Sequence, residues 1–257
     1  MPRSDGSQPS GRSSRNTSRR PSISRDAARG AISTRKSQFR QPIRLRLSSS
    51  PRHDDPVIRP GVAMSTKQDA GSPNTVVLFS GHMIDAPDRK TPRFPPDKEP
   101  VAAAAIADAL AKIGVTKGDL AICGGACGGD LLFAEAALAK GMQLEIYIPF
   151  DEPTFLAGSV DFAGGNWRAR YLAAKSRAAL HVMPDELGPL PAGENAYERD
   201  NQWMLERAAR FGDRKLAFVC LWNGEGGDGP GGAKHLMDEA GRKTTWVYWL
   251  DTKKLWD

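Results

Sequence analysis

The sequence predicts an α/β fold: a Rossmann-like, mostly parallel sheet with helices on both faces, in a single domain that follows a disordered N-terminal tail. Three observations predict it. From Thr75 onward, short β-rich runs alternate with amphipathic helical windows, the pattern of a parallel sheet covered by helices. The first runs are apolar at nearly every position, as strands buried on both faces are. Glycine-rich segments stand where strands hand over to helices, the place where α/β proteins bind ligands.

The elements follow in order. Val76 to Ser80 reads as a buried first strand. Glu99 to Ile113 is a helix, Ala-rich, with Val101, Ile106, Leu110 and Ile113 at helical spacing. Leu120 to Cys123 is the second strand, Leu131 to Lys140 the second helix, and Gln143 to Ile148 the third strand, stopped by Pro149. Helical windows follow at Trp167 to Ala179 and Tyr197 to Phe211, with a short strand near Leu180 to Met183 between them. Lys215 to Trp222 is a further strand, Gly232 to Ala240 another helix, and Thr244 to Leu250 the last strand. The domain is expected over residues 74–257.

The tail, residues 1–73, differs in kind. Residues 1–63 hold thirteen Arg and one Lys against four Asp, a net charge of +10, so the remaining 22 basic and 26 acidic groups give the rest −4. The basic character of the chain therefore belongs to the tail, and no basic groove is expected on the domain. The same 63 residues carry thirteen Ser and a single aromatic, Phe39, too little apolar surface to offset the entropy of ordering. Three readings of it stand side by side: a basic arm for nucleic acid or anionic lipid, an Arg- and Ser-rich transit peptide, or a segment ahead of an alternative start at Met64.

Cys123, Cys127 and Cys220 lack the spacing of a disulfide framework, and the four His are dispersed, so neither a metal site nor a cofactor is expected. The longest apolar stretch, Val101 to Ala111, is short and interrupted by Asp108, which predicts no membrane span. The expected location is the cytoplasm.

Three turns carry chemistry. The first, Ser80-Gly81-His82-Met83-Ile84-Asp85-Ala86-Pro87-Asp88-Arg89 with Arg93-Phe94-Pro95 beyond, leaves the first strand; Gly81 admits a ligand close to the backbone, and Arg89 and Arg93 can clamp a phosphate or carboxylate. The alternative is a polar surface loop. The second, Cys123-Gly124-Gly125-Ala126-Cys127-Gly128-Gly129-Asp130, precedes a helix and suits an anion held by backbone N–H groups; Asp130 stands where a helix cap would. The spacing is neither G-x-G-x-x-G nor a Walker loop. The third, Asn223 to Gly232 with Gly229, Gly231 and Gly232, enters the helix that carries Lys234 and His235, and is also open to reading as a flexible linker. Asn195, Arg199 and Gln202 share one face of a later helix, either a row of ligand contacts or a solvated surface. Trp167 to Tyr171 is equally open, and Trp246 and Trp249 read as strand packing rather than base stacking.

These turns resemble the SLOG superfamily, the Rossmann-like group that includes LOG-type phosphoribohydrolases and DNA-processing protein A, and within it the sensor-type branch of bacterial signalling proteins. The resemblance implies a ligand-sensing domain that binds a nucleotide or nucleotide-derived small molecule through Gly81, Gly124, Gly125, Gly128, Gly129, Asp130, Gly231 and Gly232. A homo-oligomer or a signalling-protein partner goes with that reading, and nucleic acid enters only through the tail. The chain departs from the hydrolases: after Pro230-Gly231-Gly232, Met237 stands where their first catalytic acid would be. The alternative, a phosphoribohydrolase or deoxyribosyltransferase-like enzyme, therefore rests on Glu135 or Asp238 as substitute acids, with Arg89, Arg93 or Arg199 stabilising the leaving group.

Overall fold

The computed structural model describes residues 72–226, 232–244 and 246–257; the expectations for the tail and for Gly229 and Gly231 lie outside them. Six strands form a single sheet: β1 (Val76–Gly81), β2 (Leu120–Cys123), β3 (Gln143–Ile148), β4 (Ala178–Val182), β5 (Leu216–Trp222) and β6 (Trp246–Asp251). Every neighbouring pair is parallel, and the order across the sheet is β4-β3-β2-β1-β5-β6. The chain steps outward from β1 to β4, then crosses back to set β5 on the other side of β1. The gap beyond the carboxyl ends of β1 and β5 is thus a topological switch point, where connections leave in opposite directions and open a crevice.

The helices are α1 (Glu99–Ile113), α2 (Gly129–Ala139), α3 (Glu152–Ser159), α4 (Trp167–Lys175), α5 (Met183–Leu187), α6 (Ala196–Ala209), α7 (Ala233–Lys243) and α8 (Thr252–Leu255). Alternation along the strands divides the core into two layers. Val77, Phe79, Ala121, Cys123, Leu144, Ile146, Ala217, Val219 and Leu221 pack with residues of α1, α2, α3 and α4. Val76, Leu78, Leu120, Ile122, Leu216, Phe218 and Cys220 face the other way, onto Met204, Leu205 and Ala208 of α6 and Leu236 and Ala240 of α7. Both strand faces are buried, which explains the unbroken apolar runs.

Partly buried ion pairs fix the helices on this frame. Arg170 of α4 lies over the Trp167 ring at 4.1 Å, forks onto Glu135 of α2 at 2.7 and 2.6 Å, and reaches Glu99 of α1 at 2.7 Å. Arg207 of α6 makes a fork onto Glu145 of β3 at 2.9 and 2.6 Å. Trp167 and Tyr171 are core residues, which settles that stretch in favour of packing.

The structure differs from expectation at several ends. The window expected to run to Ala179 stops at Lys175, because Ala178–Val182 is drawn into the sheet beside β3. β6 starts at Trp246, not Thr244, because Thr244 caps α7 and its hydroxyl donates to Leu216 O at 2.5 Å. Helix α3 is absent from the expectations, although Asp151 accepts from Thr154 N at 3.1 Å and a proline sits in its first turn, both ordinary marks of a helix start.

Candidate ligand-binding site

A cleft of about 450 Å³ opens over the carboxyl ends of β1, β2, β3 and β5, within the size range of small-molecule sites. It lies at the switch point. Its apolar wall comes from Phe79, Met83, Phe155, Met204 and Trp222, and its polar groups from Asp130, Asn195, Asp200 and Asn201, with His82 and Arg93 on the β1 side. Gly81, Gly124 and Gly232 line it as well. The cleft therefore gathers Gly81, His82, Arg93, Gly124, Asp130, Asn195 and Gly232 of the expected set.

The glycine-rich turn between β2 and α2 is built for close packing. Gly128 takes φ 99°, and a Cβ there would stand 2.4 Å from the Ile84 backbone nitrogen. A Cβ on Gly129 would press on Phe79 and His82 O. The turn and the loop after β1 are laced by backbone hydrogen bonds: Gly129 N donates to His82 O at 3.0 Å and Ile84 N to Cys127 O at 3.2 Å. Cys127 N donates to Ser159 O at 2.9 Å. The expectation was that this turn would present successive N–H groups to a ligand. Instead the protein uses several of them internally, because two loops and the end of α3 meet at this point.

Asp130 is the turn's chemical feature. Gly128 is the helix cap, so Asp130 stands inside the first turn of α2 and folds back to accept from Ala126 N at 3.2 Å. Gly124 makes this possible, since a Cβ there would lie 3.1 Å from Asp130 Oδ2. Surrounded by protein on the side away from the cleft, the carboxyl is pushed up to about 7 by burial, partly offset by the Ala126 hydrogen bond.

Its partner comes from α6. The buried stripe of that helix runs Ala196, Asp200, Asn201, Met204, Leu205 and Ala208, spaced as a core-facing stripe should be. The apolar members dock on β1, β2 and β3, and the same rotation carries Asp200 and Asn201 into the cleft. Asp200 is only 4% exposed, and its Oδ1 has no hydrogen-bond partner among the described residues. Burial, then the nearby charge of Asp130, pushes its carboxyl up to about 8. Asp200 was not among the expected site residues; the row Asn195, Arg199 and Gln202 on this helix was open between ligand contacts and a solvated surface. Of these, Asn195 caps α6 by accepting from Tyr197 N and Glu198 N at 3.0 and 3.1 Å while its side lines the cleft. Arg199 donates to the carbonyls of Leu187, Gly188 and Pro189, and Gln202 to Glu206 on the outer surface.

The loop after β1 is held by residues the sequence offered as ligand contacts. Asp85 accepts from Arg93 N and Phe94 N, both at 2.8 Å, and pairs with Arg89 at 3.3 Å. Arg89 borders a separate, smaller hollow with Met83, Ile84 and Phe162. His82 accepts from Asn223 N through Nε2 at 3.1 Å, bridging the loops after β1 and β5. Burial and the adjacent Arg93 charge lower it to about 4, so it is neutral near pH 7.

Gly125, with φ 76°, packs against Ile146 and Tyr171. The two substitute acids lie away from the cleft: Glu135 is held by Arg170 and Asp238 pairs with Lys234 on the exposed side of α7. The three thiols are free and buried. Among the described residues no His, Cys, Asp and Glu cluster is arranged to hold a metal ion, and no helix is long and apolar enough to cross a membrane.

No family model matches the sequence, and no curated protein matches it. Among solved structures, DNA processing protein A from Streptococcus pneumoniae is similar over 71% of this chain and 61% of its own, at 14% identity and a TM-score of 0.29. DNA processing protein A from Helicobacter pylori, described for its single-stranded DNA binding mode, is similar over 71% and 79%, at 13% identity and a TM-score of 0.31. The Moco carrier protein from Chlamydomonas reinhardtii is similar over 71% and 98%, at 13% identity and a TM-score of 0.28. The chain thus spans less than two thirds of the Streptococcus pneumoniae protein, and its α/β, Rossmann-like character rests on its own six-stranded parallel sheet.

Proposed function

We propose that this chain is a SLOG-type ligand-sensing domain whose cleft binds a nucleotide or nucleotide-derived small molecule. The observation that carries the reading is the position and lining of the cleft: it opens at the switch point of a parallel sheet, with an apolar wall facing a few convergent polar side chains. An aromatic base suits the side of Phe79, Phe155 and Trp222, and Arg93 supplies positive charge on the β1 side. A homo-oligomer or a signalling protein as the receiver of the signal belongs to the same proposal.

A second reading, cleavage of an N-glycosidic bond, is favoured by one observation, the two carboxyl groups of Asp130 and Asp200 in the cleft. It has lost Glu135 and Asp238, which other side chains hold away from the cleft. The test is a thermal-shift screen of the full chain against nucleotides and dinucleotides, with chromatography of each mixture. A ligand that stabilises the fold and is recovered intact supports sensing, because binding to the native state alone raises its stability. Release of free base supports the second reading. A screen without any shift overturns the nucleotide reading.

A further inference from the structure

We propose that the carboxyl groups of Asp130 and Asp200 together form a subsite for the vicinal diol of a pentose, orienting the ligand with its phosphate away from them. The inference rests on the nucleotide reading and adds which part of the ligand goes where. Three observations carry it. Both side chains line one cleft although they come from different elements, α2 and α6. Asp200 is 96% buried by its 4% exposure, yet Oδ1 has no partner among the described residues, a cost that a folded protein rarely bears without a use for the atom. Asp130 Oδ2 accepts one long backbone bond, leaving acceptor capacity on a group with about four acceptor positions.

A pair of adjacent hydroxyl groups supplies two donors to these oxygens and accepts from whichever carboxyl is protonated. Burial favours the protonated form of both groups, so the pair presents donor and acceptor together near neutral pH, which matches hydroxyl groups better than a cation. The titratable and charged groups around it are His82 and Arg93 from the β1 loop, Tyr197 on α6, and the buried thiols of Cys123, Cys127 and Cys220. A phosphate would meet like charge whenever either carboxyl ionises, whereas Arg93 carries positive charge on the β1 side, which points the phosphate toward Arg93 and Gly232.

The experiment compares the four ribonucleoside 5′-monophosphates with their 2′,3′-dideoxy counterparts by calorimetric titration into the full chain and into Asp200→Asn. For the wild type, at least one ribonucleotide is expected to bind at least about tenfold more tightly than its dideoxy form, the size of one or two hydrogen bonds. In Asp200→Asn that preference is expected to collapse to less than about twofold, the coupling between the protein change and the ligand change being what such a cycle isolates. Asp130→Asn serves as the second variant and is expected to do the same. Equal binding of ribo and dideoxy forms by the wild type overturns the subsite while leaving the nucleotide reading standing, as does a preference that survives both variants. Binding of neither form overturns the nucleotide reading and the subsite with it.

Discussion

The turn between β2 and α2 and the inward face of α6 border the same cleft, yet they hold their residues there for opposite reasons. The turn is demanding about backbone: a Cβ at Gly128 or Gly129 would meet the β1 loop, several of its N–H groups bond within the protein, and Asp130 at its end brings a carboxyl to the cleft. The α6 face is ordinary in backbone and demanding in chemistry, since it places an unpartnered carboxyl where Met204 and Leu205 beside it are simply core. A conspicuous motif can serve packing through its glycines, while an inconspicuous helix places a buried, unpartnered carboxyl in the cleft. Variants at the two places should therefore separate stability from binding.

The largest effect is expected at Gly128→Ala. With φ 99° and a Cβ only 2.4 Å from Ile84 N, it should cost roughly 3 kcal/mol or more, read by urea denaturation of the full chain. A cost below about 1 kcal/mol would remove the packing account of the turn. Next comes Arg170→Met, which strands Glu135 and Glu99 and should cost roughly 1–3 kcal/mol while leaving ligand affinity intact. Asp200→Asn should act in the reverse sense. The folded protein holds its proton up to about pH 8 and the unfolded chain releases it near the ordinary carboxylate value. The native state therefore binds more protons across that window, and wild-type stability should fall as pH rises from about 4 to about 8. The variant should be more stable than wild type by roughly 1–3 kcal/mol at pH 8 and by much less at pH 4, in parallel denaturation curves. The smallest effect belongs to Asp238→Asn, with denaturation curves superimposable on wild type and no change in binding, since its pair with Lys234 is exposed.

How much of this was legible in the sequence follows from the same contrast. Period and composition marked β1, β2, β3, β5 and α1 nearly to the residue, because strands buried on both faces and an Ala-rich helix leave few alternatives. Helix α3 was missed although Asp151 and the proline after it mark its start. The turn glycines stood out, but their reason did not: only the stacking of the β1 loop against the turn shows that Gly128 and Gly129 answer to Ile84 and Phe79. Asp200 was readable in principle. It stands at the Ala196, Met204 and Ala208 spacing, and a carboxylate on a core stripe is a signal that a grouping by polar residues alone, Asn195, Arg199 and Gln202, hides. Nothing local marks Arg170 as the partner of Glu135, because that pairing depends on how α2 and α4 cross.

The claim that the cleft is the binding site is tested most directly by titrating the ribonucleoside 5′-monophosphates into the full chain and into Ala233→Trp, which fills the cleft from the first turn of α7. The account predicts saturable one-to-one binding by the wild type and its loss in the variant, with melting temperatures within a few degrees of each other. Binding that survives the filled cleft, or the absence of binding by the wild type, would contradict it.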